Sequence, residues 1–461
     1  MHLTPSEAFE HIKESMIEYL ETAYKIAHPA IFAERGEILR QRGVVAQAPF
    51  IEATPAFPTA HKLAELEELY PQSVPTGLAA LVQHGVPIDR FPLYTHQEEA
   101  LLTAFGDQPN LLVATGTGSG KTESFLLPIL ADILREAPSW EPIADQERPG
   151  RFDPQRGWLH SRRHERRPAA MRALVLYPMN ALVNDQLSRL RRILARGASP
   201  EWQKERLQGN VIRFGMYTGM SQPTGNWAYK QPRDRLAAYL EKLRQDWEKL
   251  RADLRDTGTW PRPDSTEMLC RWDIQAAPPD ILVTNYSMLE YMLVRPIESR
   301  IFELTRRWLE STPDARITLV LDEAHTYTGA KGTEVAYLVR RLKERLGLPS
   351  GSPQFRAIAT TASVPAGADE QLLEFISDLF GEPVSRFTLI RTGKAAQGIP
   401  LWRQLKHLNN RKAQRDRLGR APAGRTGSAV GVRAADADVA RRRGGAVREA
   451  RPAGAPGSSA R

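Results

Sequence analysis

The sequence predicts an α/β fold, a parallel sheet with helices on both faces. Two observations carry that expectation. Apolar runs recur at 111–114, 174–177, 281–283, 317–321 and 357–359, and each ends at a glycine-rich or polar turn, as buried parallel strands do. The first run leads through Thr115-Gly116-Thr117-Gly118-Ser119-Gly120-Lys121-Thr122 into Phe125-Leu126-Leu127-Pro128-Ile129-Leu130. That order of strand, glycine-rich turn and helix is what a phosphate-binding loop requires.

The elements follow in order. Residues 1–90 read as a mostly helical accessory region. Ser6 opens a helical pattern with Phe9, Ile12, Met16, Tyr19 and Leu20 on one face, and Pro49, Pro55, Pro58, Pro71 and Pro75 then break the chain into short pieces. Its expected role is packing against the domain that follows, with a grip on substrate as the second reading. That domain runs over about 91–395 and carries two insertions. The first, 138–168, holds Arg162-Arg163-His164-Glu165-Arg166-Arg167, which reads as a solvated charge run and, secondarily, as a substrate contact. The second, about 220–277, holds Leu236, Leu240, Leu243, Trp247, Leu250 and Leu254, a heptad seam along a helix over 236–254. Such a seam packs on its own domain or binds a protein partner, and the spacing leaves both open. A last helix is expected over 372–380 and a short exit strand over 387–390.

The segment 396–461 differs in character. From Leu418 to Arg461 there is no Ile, Phe, Tyr, Trp or Met, and Ala, Arg, Gly, Pro and Ser dominate. Such composition cannot bury enough apolar surface to offset ordering entropy, so a disordered tail is expected. A change of reading frame near 411–418 would give the same bias.

The chemistry sits at the turns. Glycines let backbone N–H groups close around phosphates, and the following helix presents its positive end to the anion. Thr117, Gly118, Ser119, Gly120, Lys121 and Thr122 are the expected nucleotide-binding residues, with Lys121 also catalytic and the Thr122 hydroxyl a ligand for Mg²⁺. About 200 residues on, Ile317-Thr318-Leu319-Val320-Leu321 ends in Asp322-Glu323-Ala324-His325. Two acids capping a buried strand are costly to place without a purpose. Asp322 is expected to hold Mg²⁺ through water, and Glu323 to orient the water that attacks the γ-phosphate of ATP.

Gly120-Lys121-Thr122 together with Asp322-Glu323-Ala324-His325 resembles the DEAD/DEAH-box helicases of superfamily 2, which implies a single RecA-like domain here. Four further blocks stand in the family's order. The resemblance implies that Gln97, in Leu93-Tyr94-Thr95-His96-Gln97, reads the adenine edge. It makes 174–186 and 280–289 nucleic-acid segments, with Pro178, Asn180, Thr284 and Asn285 at their strand tips. It implies that His325, Thr361 and Ser363 couple hydrolysis to motion. Thr115 stands where the family has Gly or Ala, and Thr361 and Ser363 swap the usual order of hydroxyls. The stretch after the acids, Thr326-Tyr327-Thr328-Gly329-Ala330-Lys331-Gly332-Thr333-Glu334, is similar to the Lhr/MrfA-like DNA helicase branch, near which DNA-repair and phage-defence helicases fall. The family also needs a second RecA-like domain with an arginine-finger motif. None is found, so the chain reads as the ATP-binding half of an ATP-dependent DNA helicase or translocase, with little unwinding of its own. The rival from another class is a catalytically silent nucleotide- or nucleic-acid-binding module. A P-loop kinase is a third, disfavoured because the acids and strand-tip blocks have no role in one.

Composition bounds the rest. The chain has 461 residues, 41% hydrophobic, and a formal charge of +9. Residues 411–461 hold thirteen Lys/Arg against four Asp/Glu, so the body before them is neutral and basicity does not argue for nucleic acid. One cysteine, Cys270, excludes an internal disulfide or a cysteine-based zinc site. No signal segment and no run of 18 apolar residues is present, so no membrane partner and a cytoplasmic location are expected.

Overall fold

A computed structural model describes residues 4–47, 57–83, 91–116, 118–143, 150–196, 199–252, 260–263, 265–362 and 367–391. The expected tail over 396–461 lies outside the described residues, as do Thr117, Leu254 and Ser363. The strands are β1 (Asn110–Ala114), β2 (Arg151–Asp153), β3 (Gly157–Leu159), β4 (Ala173–Tyr177), β5 (Phe214–Met216), β6 (Glu267–Met268), β7 (Ile281–Asn285), β8 (Ile317–Leu321), β9 (Phe355–Thr361) and β10 (Phe387–Arg391). The helices before the second insertion are α1 (Pro5–Ala23), α2 (Pro29–Arg40), α3 (Leu63–Leu69), α4 (Leu78–Val82), α5 (Thr95–Thr103), α6 (Lys121–Glu136), α7 (Asn180–Leu194) and α8 (Ser199–Arg206). Then follow α9 (Lys230–Ala252), α10 (Arg271–Ala276), α11 (Tyr286–Val294), α12 (Ser299–Ser311), α13 (Gly329–Leu346) and α14 (Asp369–Phe380).

Eight strands form one sheet in the order β10-β1-β9-β8-β4-β7-β5-β6, and every pairing in it is parallel. Strands β1, β4, β8 and β9 are buried at every residue, which is why they read as unbroken apolar runs. Successive side chains still go to opposite faces. Val113, Val175, Val283 and Val320 join a core with α4, α5, α6 and α7. Leu112, Leu174, Leu282 and Leu321 join a second core with α11, α12, α13 and α14. Two helical layers thus cover the sheet. The expected exit strand is β10, which pairs with β1 at the sheet's edge.

The N-terminal region divides. Leu63, Leu66, Leu78 and Leu81 of α3 and α4 enter the core. The α1–α2 hairpin closes on Ile17 and on Arg40, which bridges Glu14 and Glu21 at 3.0 and 3.1 Å. The remaining apolar face of α1, Ile12, Met16 and Tyr19, is exposed.

The charge run at 162–167 is not a solvated loop. Arg162 and Arg167 are buried. Arg167 clamps both Asp280 carboxylate oxygens at 2.7 Å and lies 3.9 Å over the Trp140 ring. Arg172 reaches Asp280 at 2.9 Å, and Arg162 and Arg213 both reach Glu165 at 2.9 Å. Burial alone would raise the Glu165 carboxyl, but Arg162, Arg167 and Arg213 outweigh it and bring it down to about 2. The reason lies in the fold: the insertion doubles back over the start of β7, where Asp280 supplies the countercharge.

The two insertions fold together. Trp158 of β3 stands edge-on to Trp272 of α10 at 4.9 Å, and its Nε1 donates to Asp273 at 2.7 Å. Phe152 of β2 faces Trp227, with the Arg233 guanidinium 3.7 Å over its ring. The heptad seam lies on α9 and turns inward: Leu236 packs with Cys270 and Trp272, Leu243 is buried, and Trp247 lies 4.0 Å under Arg196.

Candidate nucleotide site

The glycine-rich loop joins the end of β1 to the start of α6. Gly118 and Gly120 hold φ of +76° and +75°, a region that favours glycine, and a Cβ on Gly120 would meet Gln97 Nε2 at 2.3 Å. Thr115, where the family has Gly or Ala, is fully buried, and its hydroxyl lies 2.7 Å from that of Ser119. The substitution thus ties the loop across its own base.

Gln97 braces the loop. Its Oε1 accepts from Tyr94 N at 3.0 Å and its Nε2 donates to the Gly120 carbonyl at 3.1 Å. One N–H and one lone pair of the amide are left for an adenine edge. His96, which sequence reasoning passed over, hydrogen-bonds the Ser119 carbonyl through Nε2 at 2.8 Å and stacks on Tyr94. Burial lowers its pKa, so the ring is neutral at pH 7 and Nε2 is the donor.

The two acids meet the loop from β8. Lys121 Nζ lies 3.0 Å from Glu323 Oε1, joining residues 202 apart in sequence. That contact uses one of the three ammonium N–H donors and leaves two for a phosphate. Glu323 has φ +51°, unusual for a residue with a side chain, and its backbone carbonyl is held by Thr326 N and Oγ1 at 2.9 and 2.8 Å. Thr360 of β9 donates its hydroxyl to Asp322 Oδ1 and accepts from Glu323 N at 3.3 Å. Thr361 lies 3.3 Å from His325 Nδ1, which in turn is 3.4 Å from Glu323 Oε2. The hydroxyl nearest both acids is therefore Thr360, not Thr361.

Burial raises the Asp322 carboxyl above its usual range, and the Thr360 hydrogen bond opposes the shift. The hydroxyls of Tyr177 and Tyr327 are buried without a partner, and both feel the Asp322 charge. Among the described residues no group of three His, Cys, Asp or Glu could hold a metal unaided. Thr122 and Asp322 fit Mg²⁺ that is shared with a nucleotide's phosphates.

At the neighbouring strand tips, Asn285 Nδ2 donates to Asn180 Oδ1 at 2.6 Å, and Asn285 Oδ1 caps α11 through Met288 N at 2.7 Å. Asn180 is exposed and Pro178 half-buried. Thr284 is fully buried and gives its hydroxyl to the Tyr217 carbonyl, so it does not stand at the surface with them.

The fold and site define a P-loop nucleotide-binding domain of the RecA-like type. Residues 94–214 match the DEAD/DEAH box helicase family model, and the chain carries a DEAD/DEAH box helicase domain. It is 36% identical to the Druantia protein DruE of Escherichia coli (strain UMEA 4076-1), over 81% of this chain and 21% of that protein. It is 23% identical to the uncharacterized ATP-dependent helicase YprA of Bacillus subtilis (strain 168), over 66% of this chain and 27% of that one. The chain thus spans about a fifth to a quarter of the length of these relatives. Among solved structures it is similar to the DUF1998 helicase MrfA bound to DNA, with a TM-score of 0.40, 20% identity, and coverage of 74% of this chain and 31% of that chain. No described helix is long and apolar enough to cross a membrane.

Proposed function

We propose that this chain is the ATP-binding part of a superfamily 2 DNA helicase or translocase. The observation that carries the reading is the contact of Lys121, which opens α6 after β1, with Glu323, which follows β8, at the C-terminal ends of parallel strands flanking β9, where ligands of such sheets bind. Gly118, Ser119, Gly120 and Lys121 hold the phosphates, Thr122 and Asp322 hold Mg²⁺, and Gln97 meets the adenine. Bound Mg²⁺ neutralises phosphate charge. Glu323 orients the attacking water. His325, Thr361 and Ser363 relay the state of the nucleotide. Pro178, Asn180 and Asn285 form the edge that meets the DNA backbone, since the exposed Asn180 amide, held by Asn285, opens a helix whose start favours phosphate. The similarity to DruE supports a parent activity in phage defence or DNA repair.

The reading is tested by ATP hydrolysis with and without single-stranded DNA, and by strand separation, on purified 1–461. Arginine fingers supply about 10³–10⁵ in rate to related phosphoryl transfers, and the sequence holds no such motif. ATP–Mg²⁺ should therefore bind while hydrolysis stays slow and duplexes stay paired. Robust ATP-dependent strand separation would show that this chain is a complete machine and that the half-motor reading is wrong.

A further inference from the structure

The loop is tied not only to β8 but also to α7. Gln186 Nε2 donates to Thr122 Oγ1 at 3.1 Å. One turn on, Arg189 Nη1 donates to Glu123 Oε1 at 2.6 Å. Thr122 and Glu123 open α6 and are both buried. Helix α7 itself is pinned by Val183, Leu187 and Leu190, all buried in the core, and it packs on β7, β5 and α4. Gln186 therefore approaches Thr122 from a fixed support.

A threonine hydroxyl has one proton and two lone pairs, and left alone it rotates. The Gln186 N–H occupies one lone pair of Thr122 Oγ1. The hydroxyl proton cannot point toward that donor, so the three staggered positions of the oxygen fall to two, one for the proton and one for the lone pair that can meet a cation. A metal ligand whose orientation is set beforehand loses less entropy on binding.

We propose that Gln186 is a positioning residue for Mg²⁺: its amide fixes the Thr122 hydroxyl so that the free lone pair faces the metal arriving with the nucleotide. This rests on the ATP–Mg²⁺ reading given above. It assigns Gln186 no contact with nucleotide or metal. Its effect passes entirely through Thr122.

The test compares binding of a fluorescent ATP analogue by wild-type 1–461, Gln186→Met and Arg189→Met, each with Mg²⁺ titrated in and each in EDTA. Methionine keeps the length of the glutamine side chain but has no N–H, and Arg189→Met cuts the other α7 tie without touching Thr122. Losing one hydrogen bond of ordinary strength predicts that Gln186→Met needs roughly fivefold more Mg²⁺ for half-maximal binding. Its affinity in EDTA should match wild type. Arg189→Met should keep the wild-type Mg²⁺ requirement. An unchanged requirement in Gln186→Met would overturn the proposal. So would an equal loss with and without Mg²⁺, or an equal shift in Arg189→Met, since either would mean that Gln186 merely holds α7 in place. A wild type that binds nucleotide indifferently to Mg²⁺ would overturn the parent reading of the site and this inference with it.

Discussion

Thr360 shows what a residue's neighbours in sequence conceal. It lies beside Asp322 because β8 and β9 pair in the register Val320↔Ile358 and Leu321↔Ala359, so the next position of each strand brings carboxylate and hydroxyl together. The family's block singled out Thr361 and Ser363 for coupling rather than for contact with the acids, and Thr361 does lie 3.3 Å from His325. Lys121, Asp322 and Glu323 were legible in the sequence because Lys121 closes a glycine-rich run after β1 and the two acids follow the apolar run of β8. His96 and Gln186 were not, because their partners lie 23 and 64 residues away and are set by packing. The Thr360 hydroxyl donates to a charged group, a bond worth about 1.5–3 kcal/mol. Thr360→Val should therefore slow ATP turnover in the intact protein by about tenfold or more. Its nucleotide affinity should stay within a few-fold of wild type. Single-turnover and binding measurements on the same variant separate the two quantities, and turnover at the wild-type rate would remove Thr360 from the site. Glu323→Gln keeps the shape but loses the carboxylate that orients water. Turnover should fall at least about a hundredfold, with nucleotide retained, as trapped radiolabelled ATP would report. Near-normal turnover would assign the base elsewhere.

At the scale of elements, the buried ion network decides how the first insertion sits. Its charge run looked solvated because the residue that neutralises it, Asp280, lies 113 residues beyond Arg167 and carries no local sign of the pairing. By contrast, the strands, the loop and the helices around them were legible, since each has its own period and its own end signals. The heptad seam was half legible: the helix was plain, but its partners Cys270 and Trp272 belong to a later stretch of the same insertion. Replacing one member of a buried network leaves uncompensated charge. Asp280→Asn should destabilise the domain by about 3–5 kcal/mol, read by urea denaturation. A loss below about 1 kcal/mol would mean that the arginines find other partners. The network also predicts acid sensitivity. The Glu165 pKa falls from 4.5 to about 2 on folding. Its stabilisation is then complete above about pH 4.5 and is lost as pH falls toward 2. Glu165→Gln should flatten that part of the stability–pH curve. An unaltered acid limb would show that other carboxylates govern it.

At the largest scale, the described residues share one parallel sheet. The nucleotide loop, the acids and the Asn180–Asn285 pair all stand on the same end of parallel strands, and two helical layers bury the sheet between them. The sequence order of the blocks made that arrangement legible, because parallel strands with helical crossovers put every strand tip on one side. The joining of the two insertions was not, because Trp158 and Trp272 meet across more than a hundred residues and neither lies in a patterned run. The central claim is that the loop at Lys121 binds ATP with Mg²⁺. Its most direct test is equilibrium titration of purified wild-type 1–461 and of Lys121→Ala with a fluorescent ATP analogue and Mg²⁺, alongside thermal denaturation of both. Lys121 is the first residue of α6 and carries charge rather than core packing. The account therefore predicts saturable binding by wild type, at least about tenfold weaker binding by the variant, and closely similar melting temperatures. Equal affinity of the two proteins would contradict it.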